Sequence, residues 1–192
     1  MLPLSLYIHI PWCIQKCPYC DFNSHVCPTS LPEKHYVEAL LADLDHDLIK
    51  HPSRPLTSIF IGGGTPSLFS VRAYEQLFNG LLQRLSFHPN IEITLEANPG
   101  AIDQARFEGY RALGINRLSL GIQSFNPAHL KALGRIHDDQ HAHRAITKAR
   151  AAGFDNINID LMHGLPQQTI AEGLLDLKTA LTYTPEHLSW YQ

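Results

Sequence analysis

The sequence predicts an α/β fold in which six parallel strands curl into a partly open (β/α)6 barrel. Three observations predict it. Short segments of alternating apolar and polar residues are each followed by a stretch of helical period, the pattern of parallel strands joined by outer helices. The second faces of those strands carry Glu96, Ser119 and Asp160, which suits an interior that holds a ligand; a doubly wound sheet would read as near-continuous apolar runs. The 192 residues, 44% hydrophobic and 17% charged, are enough for one domain, residues 1–192, with a sizeable core.

Each element has its own signal. The apolar run Leu2 to Ile10 opens the chain as a strand, with Leu4, Leu6, Ile8 and Ile10 on one face and Ser5, Tyr7 and His9 on the other. Val37, Leu40, Leu41, Leu44 and Leu48 repeat at helical spacing, and Ser30-Leu-Pro-Glu33 predicts a capping box in front of them. Ser58 to Ile61 reads as a buried second strand, and Tyr74, Leu77, Phe78, Leu81, Leu82 and Leu85 as the helix after it. Ile91, Ile93 and Leu95 oppose Glu92, Thr94 and Glu96 in the third strand, and a helix over Asp103 to Leu113 precedes Gly114, a C-cap glycine.

Arg117 and Ser119 oppose Leu118 and Leu120 in the fourth strand. A short helix near Ala128 to Leu133 and a longer one over Asp138 to Ala151 lead to a second C-cap glycine, Gly153. Ile157, Ile159 and Leu161 oppose Asn156, Asn158 and Asp160 in the fifth strand, and a helix follows over Ile170 to Leu181. The sixth strand sets Leu188 and Trp190 against His187, Ser189 and Tyr191. The chain stops within that pattern at Tyr191-Gln192, leaving the strand without a covering helix, so a C-terminal truncation is expected.

Bulk properties exclude several classes. A net charge of -3 gives no reason to expect nucleic-acid binding, and the 12 histidines are too scattered to form a basic patch. No apolar run approaches a membrane span, and Leu2 to Ile10 lacks a basic leader and cleavage site. A cytoplasmic location is therefore expected. Four cysteines, three of them in one short run, do not make a secreted disulfide framework, and Cys27 is left as a free thiol.

That run, Tyr7-Ile-His-Ile-Pro-Trp-Cys-Ile-Gln-Lys-Cys-Pro-Tyr-Cys-Asp21, places Cys13, Cys17 and Cys20 in a C-x3-C-x2-C spacing on the loop leaving the first strand. Three thiolates can hold three irons of a 4Fe-4S cube and leave the fourth open to a ligand. A structural zinc site and ordinary buried thiols are the alternatives, and the zinc site needs a fourth ligand from His9, His25 or Cys27. Gly62-Gly-Gly-Thr-Pro-Ser67 follows the second strand and allows close backbone approach to a ligand. No Gly-Lys-Ser/Thr follows it, which excludes a Walker loop. The cysteines, Gly63 to Thr65, Glu96, Gln123 and Asp160 all fall at the C-terminal ends of strands, where ligands bind in parallel α/β architectures.

The cysteine run and its flanks resemble the signature of the radical S-adenosylmethionine (SAM) superfamily, whose open iron chelates the amino and carboxylate groups of SAM. The glycine loop resembles the motif that receives the methionine amino group. Tyr-Ile-His-Ile-Pro-Trp-Cys, Gly-Gly-Gly-Thr-Pro-Ser, Leu-Glu-Ala-Asn-Pro, Gly-Ile-Gln-Ser-Phe, Leu-Gly-Arg-Ile-His and Asn-Ile-Asp-Leu-Met-His-Gly-Leu-Pro-Gln-Gln-Thr occur in one order. The set is similar to the family of oxygen-independent coproporphyrinogen III oxidase and its HemW-type heme-chaperone relatives, and it spans Leu4 to Gln192.

The resemblance implies a radical SAM, TIM-like partial barrel with Cys13, Cys17 and Cys20 holding the cluster. It implies that Tyr7 contacts SAM beside the cluster, that Tyr19 packs near the adenine, and that Gly63, Gly64 and Thr65 hold the methionine part. Glu96 and Gln123 would bind polar groups of SAM, with Arg135 and Asp160 completing the shell. At the loop the oxidase resembles Cys-x-Phe-Cys-Gly-Cys, whereas this chain has Cys20-Asp-Phe22, and Asp21-Phe22-Asn23-Ser24 is chaperone-like. The chain also starts almost at the first strand, with no room for the oxidase's N-terminal arm, and the chaperones' C-terminal His-Asn-x-Tyr-Trp motif is absent from it.

A heme chaperone is accordingly the first expectation, with heme as cargo, acceptor hemoproteins as partners, and a homodimer and a peripheral membrane association left open. The second is an oxidase that decarboxylates porphyrinogen propionates through a 5'-deoxyadenosyl radical. A zinc-stabilised, non-redox binding module is the third.

Overall fold

A computed structural model describes residues 3–50, 54–101 and 103–192. Leu2, the first residue of the apolar stretch read as the opening strand, lies outside the described residues. The strands are β1 (Leu4–Ile10), β2 (Trp12–Cys13), β3 (His25–Val26), β4 (Leu56–Gly63), β5 (Phe87–Ala97), β6 (Arg117–Gln123), β7 (Asn156–Met162) and β8 (His187–Tyr191). The helices are α1 (Glu33–Lys50), α2 (Val71–Leu82), α3 (Gln104–Ala112), α4 (Pro127–Ala132), α5 (Asp139–Ala151) and α6 (Ile170–Leu181). Among the described residues no helix is long and apolar enough to cross a membrane.

Six strands form one sheet in the order β1-β4-β5-β6-β7-β8, every pair parallel. The order never reverses. A doubly wound sheet turns back at a switch point and puts helices on both faces, whereas crossovers of one hand that always step the same way put every helix on one face. The other face is thereby freed for a ligand, and the predicted six-stranded partial barrel is what the chain forms.

The helix-facing side of the sheet is the core. Ile10, Ile59, Ile61, Leu95, Leu118, Leu120, Ile157 and Ile159 are buried there against Leu77, Phe107, Ile146 and Phe154 from the helical layer. Two fully buried tyrosines in this layer also serve the site. Tyr74 of α2 donates to the Pro66 carbonyl at 2.8 Å, and Tyr110 of α3 donates to the Phe69 carbonyl at 2.6 Å and the Ser67 carbonyl at 3.1 Å. A buried phenol needs a partner. Here the partners are carbonyls of the 3-10 turn Pro66–Leu68 and its C-cap Phe69, so core packing fixes the segment that ends the glycine loop.

Helix bounds agree with the sequence except at the end of α2, which stops at Leu82 and leaves Leu85 beyond it, and at the start of α1. Ser30 caps nothing, because α1 begins at Glu33 and the Tyr36 amide bonds to the Pro32 carbonyl. The Glu33 carboxylate instead accepts from the backbone amide and hydroxyl of Ser70, at 2.6 and 2.7 Å, and so ties α1 to the N-cap of α2. A reciprocal capping box forms at Thr169 and Glu172 of α6. Gly114 and Gly153 have φ of +97° and +84°, the left-handed C-terminal geometry expected of them. Helix α6 buries Asp176 and exposes Ile170, Leu174, Leu175 and Leu181.

Candidate functional site

The C-terminal ends of the strands open into a cavity of about 350 Å3, within the roughly 300–1,000 Å3 of small-molecule sites. Cys13, Cys17, Cys20, Tyr19, Gly63, Gly64, Thr65, Glu96, Gln123, Arg135 and Asp160 all line it. Residues spread over more than 140 positions of sequence thus meet in one place, as the shared strand-end position predicted.

The cysteine loop is stitched at its base. The two-residue strands β2 and β3 pair in parallel, with the His25 amide on the Pro11 carbonyl at 2.7 Å and the Cys27 amide on the Cys13 carbonyl at 2.8 Å. Neither strand is long enough to leave a periodic signal. Cys13 is buried, which raises its thiol pKa, while hydrogen bonds with the Thr65 and Ser24 side chains oppose the shift. Ser24 also stands 3.9 Å from the Cys20 sulfur.

The glycine loop lies directly under this base. The Gly64 amide bonds to the Ile10 carbonyl at 2.8 Å and the Thr65 amide to the Trp12 carbonyl at 2.7 Å. A β-carbon on Gly64 would stand 2.7 Å from the Trp12 oxygen and 2.9 Å from the Pro11 carbonyl, so the strand end and the glycine loop touch backbone to backbone. Gly63 has φ +117°, and a β-carbon there would meet the His9 ring at 2.8 Å. Both glycines are required by packing within the protein, independently of any ligand.

Polar strand faces form the far wall. Glu96 accepts from the Gly63 amide at 3.2 Å; burial and then the nearby Asp160 carboxylate push its pKa up to about 7, against that hydrogen bond. Burial likewise raises Asp160, opposed by hydrogen bonds from Ser119, Ser189 and Asn158. Asn158 is the hub of this network. Its amide donates to Ser119, Asp160 and Ser189 at 2.8, 2.8 and 3.0 Å. Gln123 holds a left-handed backbone at φ 68°, and its side-chain oxygen accepts from the Tyr191 hydroxyl at 2.8 Å.

Tyr7 departs from expectation: it does not line the cavity, and it is 57% exposed. Its hydroxyl donates to His9 Nδ1 at 3.0 Å, since His9 Nε2 donates to the Asn23 carbonyl at 2.8 Å. Sequence reasoning also missed lining residues, chiefly Ser24, Asn98, Ser189 and Tyr191. Ser189 and Tyr191 carried a signal, because they share the polar face of the sixth strand; Ser24 carried none.

The donor set suits an iron-sulfur cluster better than zinc. His9, His25 and Cys27, the candidates for a fourth zinc ligand, do not line the cavity, and both histidines bond to Asn23. A cube needs its thiolates on three different irons. Beside the cysteines, the cavity is lined by two carboxylates, a guanidinium, the side-chain amides of Asn98 and Gln123 and the phenol rings of Tyr19 and Tyr191, the donors and acceptors that a zwitterionic amino acid with a nucleoside requires.

Comparison with known proteins agrees. The chain is 54% identical over 194 residues to the heme chaperone HemW of Haemophilus influenzae and 53% identical over 190 residues to that of Escherichia coli, covering 99% of this chain in each case. It spans about half the length of these curated relatives, 51% and 50%. Among solved structures, the coproporphyrinogen III oxidase HemN from Escherichia coli, a radical SAM enzyme, superposes with a TM-score of 0.89 at 33% identity, covering 98% of this chain and 44% of that one. The model of the radical SAM superfamily matches residues 7–177, most of the barrel and its cysteine loop, and the chain therefore belongs to that superfamily.

Proposed function

We propose that residues 1–192 are one radical SAM core domain of a cytoplasmic heme chaperone. The observation that carries this reading is the identity of 53–54% over nearly the whole chain to proteins named heme chaperones. Heme is the cargo and acceptor hemoproteins are the partners. The C-terminal His-Asn-x-Tyr-Trp motif that the resemblance associates with heme is absent from these residues, so in this reading stable heme binding needs sequence beyond Gln192.

In this reading Cys13, Cys17 and Cys20 ligate a 4Fe-4S cluster, with Cys27 dispensable. When bound, the cluster and SAM supply one-electron chemistry. The chain's residues seat the cofactor: Gly63, Gly64 and Thr65 offer backbone and hydroxyl groups to its methionine part, and Glu96, Gln123 and Asp160 take its polar groups. Tyr19 and Arg135 close the cavity from the cysteine-loop side, and Tyr7, outside the cavity lining, reaches it only by leaving His9. The buried carboxylates also favour a cationic ligand, because their mutual repulsion is relieved by a positive charge between them.

The oxidase is the second reading, favoured by the close superposition on HemN. The sequence after the triad, Cys20-Asp-Phe22, supports the chaperone instead. Membership of the radical SAM superfamily displaces the zinc module.

The test is anaerobic reconstitution followed by incubation with heme or with coproporphyrinogen III, SAM and dithionite. About four irons per chain, lost on Cys17→Ser and kept on Cys27→Ser, are expected. Heme binding is expected only in a protein extended to the relatives' full length. Protoporphyrinogen formation by that longer protein would overturn the chaperone reading.

A further inference from the structure

Arg135 reaches the cysteine loop from the segment that follows α4. Its Nη1 lies 3.6 Å from the Cys17 sulfur and 3.4 Å from the Tyr19 hydroxyl, and its Nη2 donates to the Gly121 carbonyl at 2.8 Å. The Nε–H is buried without a partner, and among the described residues Arg135 forms no ion pair. A cation with no carboxylate on it therefore points a hydrogen at a thiol sulfur.

The neighbouring backbone is shaped to allow this approach. Gly134 has φ +67°, and a β-carbon there would stand 2.8 Å from Pro18, between Cys17 and Tyr19. Its carbonyl accepts from the Gln15 side chain at 3.3 Å. At Gly121 a β-carbon would lie 3.6 Å from Nη2. Two contacts, Gly134 against Pro18 and Gln15 on the Gly134 carbonyl, thus hold the cysteine loop against the segment that carries Arg135, and Gly121 leaves room for its guanidinium.

We infer that Arg135 is a positioning residue for the cluster itself: by donating to the Cys17 sulfur it stabilises the reduced cluster and raises its reduction potential, before any cofactor binds. This rests on the cluster assignment of the preceding section and goes beyond a contact to SAM. Hydrogen bonds to ligating sulfurs are among the determinants of iron-sulfur potentials. A charge-assisted donor from a guanidinium is a strong one. One-electron reduction by an external low-potential reductant adds one negative charge to the cluster, and a fixed cation beside its thiolate favours the product over the starting state.

The experiment is an EPR-monitored redox titration of the anaerobically reconstituted protein with SAM left out. At the parent's midpoint potential, Arg135→Gln should hold about tenfold fewer reduced than oxidised clusters, a midpoint about 59 mV more negative for a one-electron couple. Arg135→Lys should shift in the same direction by less, because one ammonium keeps the charge but cannot span Cys17, Tyr19 and Gly121. Arg144→Gln, which removes an exposed cation of α5, should not move the midpoint.

Titration of Arg135→Gln at the parent's midpoint with full iron content would overturn the inference and leave Arg135 a cofactor contact only. If Arg135→Gln holds no cluster, Arg135→Lys decides, and a midpoint equal to the parent's refutes. Failure of the underlying assignment looks different: iron would then survive Cys17→Ser.

Discussion

Glu96 makes the pH dependence of stability a direct test of the cavity's electrostatics. Its folded pKa of about 7 lies above its ordinary 4.5, so the folded state holds the proton more tightly than the unfolded one. The contribution is fully present below about pH 4.5 and is lost as pH rises through about 7. Integrating the two titrations, the term stabilises the protein by about 2.5 kcal/mol at pH 5 relative to pH 8. His137 opposes it. Burial, reinforced by Arg135, takes that imidazole from 6.5 down to about 4, so its contribution is full above pH 6.5 and lost as pH falls, by about 2 kcal/mol at pH 5. From these two groups the parent should show a nearly flat profile, the sum of two steep ones. Urea unfolding of the cofactor-free protein at pH 5 and pH 8 reads the balance, and Glu96→Gln should uncover the histidine slope, losing about 2.5 kcal/mol at pH 5 relative to the parent's own change. Parallel profiles of parent and variant, within about 0.5 kcal/mol, would refute the burial of an ionisable carboxyl at this position.

Two further substitutions probe the scaffold. Gly64→Ala should lower stability by about 1–3 kcal/mol through overpacking against Trp12 and Pro11, some 2–4 °C in Tm per kcal/mol, and should reduce iron loading; unchanged loading and Tm would show that the strand end yields freely. Asp176→Ala removes the acceptor of the Ser124 hydroxyl at 2.6 Å and the Phe125 amide at 2.8 Å. Two buried donors left unpaired cost roughly 2–4 kcal/mol, and because both directly follow Gln123 the SAM-induced change in the cluster spectrum should weaken as well; a loss no larger than that of Ser124→Ala would show that the carboxylate matters only to the serine.

Sequence patterns revealed the architecture because each strand-helix unit is local: three and four residue spacings at Val37 to Leu48, and alternation at Ile157 to Leu161, need no partner to be read. The C-terminal rim was legible for the same reason, since strand ends are marked by where alternation stops. Other features depend on distant residues. The capping signal at Ser30 fails because Glu33 finds a better donor pair at Ser70. Ser24 looks like a loop serine until Cys13 and Cys20 are folded around it. The contact between Arg135 and Cys17 joins positions 118 apart, and the motif containing Arg135 marked it as a cofactor residue without indicating the sulfur. Strands as short as β2 and β3 have no period at all.

That small pair has a thermodynamic consequence of its own. By tying His25 to Pro11 and Cys27 to Cys13, it closes the segment bearing Cys17 and Cys20 into a ring whose ends meet before any metal arrives. The entropy of ring closure is then charged to folding rather than to metal capture. If, as proposed, the three thiolates ligate a cluster, the capture of an iron by the first would hold the other two at high effective concentration, as in a macrocyclic chelator compared with its open-chain analogue. Opening the ring, as with His25→Pro, which removes the amide that bonds to Pro11, should leave the barrel standing while the protein binds its irons as three independent thiols would.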